Sequence, residues 1–202
     1  ERGIVVKDDG RDAVSEAFRM LRTNINYMTL DRNIQVVMLT SSVPHSGKTF
    51  VSMNLAAMLA TSSKRVLLFD MDLRRRTLTK MLGHRNDRRG LTSYLSGKLN
   101  SADDIISPSD IDPRLDVIYA GPQPPNPAEM LMSQRMDDLM KELRRRYEYI
   151  IIDSVPAMAV ADAMITDRLV DLTIYVVRQG NLDRRQLPDI EQLHQSKKFR
   201  NM

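Results

Sequence analysis

The sequence predicts an α/β fold in three α/β/α layers, with a mostly parallel central sheet between the helices. Three observations carry that expectation. Short apolar runs alternate with helical patterns along the whole chain. Most of the runs are continuous rather than alternating polar with apolar, as in strands buried on both faces. The first run also feeds a short turn ending in Gly47-Lys48-Thr49, and a helical pattern starts at once behind it. Strands separated by helices return in the same direction through right-handed crossovers, which builds a parallel sheet.

In chain order, helix Ala13–Met28 comes first, with Val14, Phe18, Leu21 and Ile25 on one stripe. Strand Ile34–Thr40 leads into the turn, and Thr49–Thr61 is the helix behind it. A second strand, Arg65–Asp70, precedes short helical pieces around Thr77–Leu82, Leu91–Ser96 and Ala102–Ile106, then strand Leu115–Ala120. A longer helix follows a proline-rich turn. Asn126 caps it, Pro127 suits its first position, and Glu129 completes a capping-box-like end. Met132, Met136, Leu139 and Leu143 form its stripe, and Arg144–Arg146 sit at its C-terminus, where the dipole favours cations. Strands Tyr149–Asp153 and Leu172–Val177 and a last helix, Arg185–Lys197, follow, with a further strand expected beyond Met202. One domain is expected over 1–202, as an N-terminal segment (1–30) ahead of a nucleotide-binding core (31–202).

At 202 residues, 42% hydrophobic and 28% charged, the chain has the length for a buried core and the composition of a soluble globular domain. It has no cysteine, which excludes disulfides and thiolate metal sites. No apolar run approaches the ~18 residues that cross a membrane, and the N-terminus does not read as a signal peptide. The chain opens at Glu1 rather than Met and reads as a piece of something longer. A net charge of +4 suits an anionic ligand, or simply arginines on a solvated surface. The arginine runs (74–76, 88–89, 144–146) fall on separate elements with no aromatic residues interleaved, so no nucleic-acid partner is expected.

In such sheets ligands bind beyond the carboxyl ends of the strands, so the chemistry is sought after Thr40, Asp70 and Asp153. The stretch Pro44-His45-Ser46-Gly47-Lys48-Thr49-Phe50 has the layout of a P-loop. Backbone N–H groups at the helix start wrap phosphates, Lys48 neutralises the outer ones, and the Thr49 hydroxyl can hold magnesium. Ser42 stands where the P-loop formula has a glycine, which is tolerable if its φ stays negative. His45 reads as an exposed loop residue, and the plainer account of the triplet is a strand–turn–helix with a surface lysine. At the second strand end, Asp70 and Asp72 occupy alternate positions. Carboxylates beside a core are costly unless paired or metal-bound; the competing account is helix capping by Asp72 or pairing with Arg74–Arg76. At the third, an apolar strand closes on Asp153 in the form of a Walker B element, whose carboxylate holds magnesium directly or through water. The expected catalytic residues are Lys48, Asp70 and Asp72, with Asp70 as proton acceptor and Asp72 beside it. Thr49, Asp70 and Asp153 are the expected metal residues, and ATP with Mg2+ the expected ligands. Residue order alone does not separate Asp70 from Asp72.

Taken together these residues resemble the bacterial tyrosine kinases (BY-kinases) that accompany capsule and exopolysaccharide export. Asp70-Met71-Asp72-Leu73-Arg74 matches the family's Walker A′ box. Gly121-Pro122-Gln123-Pro124-Pro125-Asn126-Pro127-Ala128-Glu129-Met130 is similar to its proline-rich segment, with Met in place of the final Leu. Glu16, Arg19 and Arg22 match its Glu-x-x-Arg-x-x-Arg oligomerisation motif. The resemblance runs from about Ser15 to Val177. It implies a P-loop NTPase fold of the deviant Walker (MinD/ParA-like) branch and a protein-tyrosine autokinase acting in trans within a ring-like homo-oligomer. It also implies a membrane activator domain, attached or separate, at the cytoplasmic face of the bacterial inner membrane, together with a cognate tyrosine phosphatase and the polysaccharide export machinery as partners. Ser154-Val155-Pro156 departs from the family's Thr-Pro-Pro, and the family's C-terminal tyrosine cluster is not found among the six scattered tyrosines.

Two other readings stay open. A MinD/ParA-type partition ATPase shares this fold but carries an extra lysine where this chain has Val43. A nucleotide-sensing regulatory domain without transfer chemistry would need no intact Lys48, Asp70, Asp72 and Asp153.

Overall fold

The structure, a computed structural model, describes residues 3–7, 10–83, 88–157, 162–199 and 201–202. Its centre is a six-stranded sheet in the order β3-β4-β2-β5-β1-β6. The strands are β1 (Val36–Ser41), β2 (Val66–Asp70), β3 (Ile106–Pro108), β4 (Leu115–Ile118), β5 (Tyr149–Asp153) and β6 (Leu172–Val176). All pair in parallel except β3, which runs antiparallel to β4 at one edge. The helices are α1 (Ala13–Asp31), α2 (Lys48–Thr61), α3 (Thr77–Met81), α4 (Leu91–Leu95), α5 (Pro127–Leu131), α6 (Gln134–Arg146), α7 (Asp162–Asp167) and α8 (Leu187–Gln195).

The continuous apolar runs are explained by two separate cores. Odd and even residues of each central strand point to opposite faces. Val37, Leu39, Leu68 and Ile151 pack under α1 and α2. Met38, Phe69, Ile150 and Ile152 pack under α6, against Met136, Leu139 and Leu143. Each such side chain stabilises the fold by about 1.5–3 kcal/mol relative to exposure. Phe18 and Ile25 hold α1 down, whereas Val14, expected on the same stripe, is exposed.

The expected long helix after the proline-rich turn is two helices. The chain breaks at Met132–Ser133, where the Ser133 hydroxyl accepts the Met136 N–H and starts α6 afresh. Met132 is 63% exposed, not part of a core stripe. Asn126 makes no backbone cap; its side-chain amide donates to Glu129 instead, at 2.6 Å. The piece expected as a helix at Ala102–Ile106 shrinks to a 3-10 turn over Ala102–Asp104, capped by Ser101, and β3 follows it. Past α8, Phe199 is buried and the Asn201 carbonyl accepts the Thr173 N–H, so the last residues return along the outer edge of β6. Among the described residues no helix is long and apolar enough to cross a membrane.

Candidate active site

Strands β1, β5 and β2 are neighbours, so their carboxyl ends converge. Asp70 and Asp153 are direct cross-strand partners, and Leu39 of β1 pairs with Asp153 from the other side. The loop after β1 closes on the Val43 carbonyl, which accepts from the hydroxyls of Ser41 and Ser46, each at 2.8 Å. Gly47, the residue before α2, has φ 92°, a left-handed conformation that glycine adopts without strain. Ser42 is absent from the positive-φ positions, which is why serine is tolerated there, and its hydroxyl lies 3.1 Å from that of Tyr175. No side chain caps the start of α2. Its first N–H groups are therefore available to an anion, favoured by the helix dipole.

Behind this loop the polar groups are buried. The Thr49 hydroxyl donates to Asp153 at 2.7 Å and the Ser52 hydroxyl to the other carboxylate oxygen at 3.3 Å. Asp70 accepts the backbone N–H and the hydroxyl of Thr79, at 2.9 and 2.6 Å, and the Asp72 N–H at 3.1 Å. Asp72 in turn accepts the N–H groups of Arg74 and Arg75, a turn within the loop rather than the helix cap of the competing account, since α3 starts after Arg76 with no side-chain cap. Arg74 pairs not with Asp72 but with the buried Asp162, at 2.8 Å.

Burial and the neighbouring Asp153 push Asp70 up to about 8. Burial likewise pushes Asp153 up to about 6, against the opposing pull of Thr49 and Lys48. Burial lowers the Lys48 ammonium, with Asp153 and Asp72 acting the other way. Crowded buried carboxylates of this kind are relieved by a cation. Among the described residues, no three His, Cys, Asp or Glu side chains converge as a protein-only metal cage. The donor set fits a magnesium ion held by a hydroxyl, a carboxylate and ligand oxygens, the usual manner of that ion.

A cavity of about 250 Å³ opens at these strand ends. Pro44, His45, Gly47, Lys48, Thr49 and Phe50 line it together with Asp72. Ser46 is buried in the loop turn, and Asp70 and Asp153 lie behind the wall. Sequence reasoning missed Arg75, Met81 and Arg178 on the lining, and Ser52 and Thr79 behind it. Arg178 reaches back from beyond β6 to the His45 carbonyl at 3.5 Å. Only the position of Ser52, one helical turn after Lys48 and so on the same face of α2, carried a readable signal. Glu16, Arg19 and Arg22 lie far along the chain on α1. Within one copy Arg19 pairs with Glu16 at 2.5 Å and donates to the Gly10 carbonyl, while Arg22 donates to the Met58 carbonyl at 3.3 Å.

The AAA domain family model matches residues 34–170, the stretch that holds all three strand ends. The tyrosine-protein kinase YwqD of Bacillus subtilis is 37% identical over 186 residues, covering 92% of this chain and 77% of that protein. This chain belongs to the bacterial tyrosine kinases. Its enzyme class is accordingly that of the protein-tyrosine kinases. The solved kinase domain of the Escherichia coli tyrosine kinase ETK superposes with a TM-score of 0.82 at 36% identity, over 90% of this chain and 71% of that one. A putative tyrosine-protein kinase in the cps region of Klebsiella pneumoniae is 35% identical over 175 residues, or 87% of this chain. The chain spans only 24% of that relative's length.

Proposed function

We propose that this BY-kinase domain transfers the γ-phosphoryl group of MgATP to tyrosine hydroxyls on neighbouring copies of itself. The observation that carries the reading is the Thr49–Asp153 hydrogen bond set beside Asp70 and Asp72, directly behind a loop with a bare helix start and a buried lysine. In this reading the N–H groups of Ser46–Thr49 and the Lys48 ammonium hold the phosphates. Thr49 and Asp153 would hold magnesium, with Asp70 behind them. When bound, the ion neutralises charge on the β- and γ-phosphates.

The cavity lining bears on the choice between the two Walker A′ aspartates. Asp70 is fully buried and engaged by Thr79 and Asp72, whereas Asp72 faces the cavity. We therefore move the proton acceptor from Asp70, where the sequence put it, to Asp72, and leave Asp70 the task of shaping the site from behind. The polysaccharide setting rests on the cps-region relative. The chain is read as the cytoplasmic part of a system at the inner membrane, with a membrane activator, a resetting tyrosine phosphatase and polysaccharide export as partners. Glu16, Arg19 and Arg22 are read as a contact between copies in a ring.

Incubation with γ-labelled ATP and a Glu/Tyr copolymer, comparing wild type with Lys48→Met, Asp70→Asn and Asp72→Asn, tests the reading. Label on tyrosine that disappears in Lys48→Met and Asp72→Asn is expected. Phosphotyrosine undiminished in these variants would overturn the mechanism, and phosphate release without phosphotyrosine would favour a switch ATPase.

A further inference from the structure

We infer that Tyr27, near the end of α1, is itself a phosphoacceptor, modified by a second copy of the chain. The inference rests on the kinase reading above and extends it to a substrate within the domain. Of the six tyrosines, Tyr27 alone stands open to solvent, at 65% exposure. Tyr94, Tyr119, Tyr147 and Tyr149 are buried. The Tyr147 hydroxyl donates to Asp116 at 2.7 Å, that of Tyr149 to Asn26 at 3.0 Å, and that of Tyr175 lies against Ser42. Phosphorylating any of these means first breaking core structure or a hydrogen bond.

The backbone around Tyr27 is also the part of α1 that opens most readily. Among the described side chains of the helix Ile25 is the last buried one, and none of residues 26–30 is buried. The C-terminal end carries no basic residue, and Arg32 just past it is already extended. A helix end with few apolar contacts and exposed hydrogen bonds unwinds at small cost, which presents the phenol on extended chain. Opening this turn gives up the Asn26–Tyr149 bond, the bond from the Thr29 hydroxyl to the Asn26 carbonyl and that from the Arg32 N–H to the Met28 carbonyl, but no buried side chain among residues 26–30.

Transfer has to come from another copy. Asn26 touches Tyr149, the first residue of β5, while the site lies at Asp153, the last. The strand between them spans about 13 Å at ~3.3 Å per residue, so Tyr27 and its own Lys48 lie at opposite ends of the sheet. In the transfer, the Tyr27 phenol oxygen bonds to the γ-phosphorus as the bond to the β–γ bridging oxygen breaks. ADP leaves, and the phenolic proton passes to the carboxylate beside the cavity.

The test mixes an active Tyr27→Phe chain with an acceptor chain carrying Lys48→Met, adds MgATP and the Glu/Tyr copolymer, and maps phosphate by mass spectrometry. Phosphate is expected on Tyr27 of the Lys48→Met chain, rising with total protein concentration, while Tyr27→Phe labels the copolymer as wild type does. A labelled copolymer with Tyr27 unmodified overturns this inference and leaves the kinase reading standing. A copolymer labelled by neither wild type nor Tyr27→Phe overturns the kinase reading, and this inference with it.

Discussion

The two ends of the parallel sheet treat the same residue type in opposite ways. At the amino end, Asp171 meets the Arg144 guanidinium through two bonds of 2.8 Å and accepts the N–H groups of Gln35 and Val36. Burial pushes its carboxyl up, but Arg144 and the backbone donors outweigh that and hold it below its usual range. At the carboxyl end, Asp70 and Asp153 have hydroxyl and backbone donors but no arginine; burial pushes both up, helped by the Asp153 charge at Asp70 and by the Asp72 charge at Asp153. One end is complete as it stands. The other carries an electrostatic cost that a bound cation and nucleotide would remove, which is how a functional site differs from a structural ion pair.

The largest effect expected from breaking this contrast is on activity. Lys48→Met should lower phosphotyrosine formation on the order of 10³-fold, as loss of a preorganised charge at a transferring phosphoryl group does. Circular dichroism should show the fold intact, since Lys48 pairs with no partner that the core needs. Next in size is the amino end. Arg144→Met should cost about 2–4 kcal/mol in urea unfolding by leaving Asp171 part-buried and unpaired, with activity per folded molecule unchanged. Because the folded Asp171 carboxyl lies below its unfolded value, its contribution is present above the unfolded pKa and fades as pH falls through the folded one. The acid limb of the stability curve should therefore flatten in Arg144→Met.

The carboxyl end should respond with the opposite sign. Folded pKa values of about 8 for Asp70 and about 6 for Asp153 lie above the unfolded value. Their contribution is then fully present below the unfolded pKa and is lost as pH rises through the folded values. Without nucleotide the wild type should lose stability from about pH 4, the unfolded value, up to about pH 6 through Asp153 and about pH 8 through Asp70. Asp153→Asn should lose less over that range and gain about 1 kcal/mol near neutral pH, because the Thr49 and Ser52 hydroxyls can turn to meet an amide. The smallest effect is far from either end. Ser133→Ala should cost about 1 kcal/mol by removing the cap that restarts α6.

What could be read in advance follows the same division. Strand positions other than β3 were legible to within about two residues because burial on both faces forces continuous apolar runs, and the candidate strand ends were legible from the Gly47-Lys48-Thr49 turn after one and from aspartates closing the other two, where a bare carboxylate is costly. The break at Met132–Ser133 was not, since a methionine extends the apolar period while the serine that interrupts it looks like an ordinary surface residue. β3 was hidden by its length and by Pro108, which an edge strand tolerates. Thr79 was hidden for a different reason: its role depends on which carboxylate the folded chain places beside it, whereas Ser52 could have been found only from its place one turn after Lys48. The division of labour proposed for Asp70 and Asp72 likewise rests on the cavity wall, which the residue order does not give.

The most direct test of the contrast is the rise in thermal midpoint on adding MgATP at neutral pH, measured for wild type, Asp153→Asn and Arg144→Met. The account predicts a clear rise for wild type and Arg144→Met and little or none for Asp153→Asn, despite its more stable empty form. Equal rises in all three would contradict it.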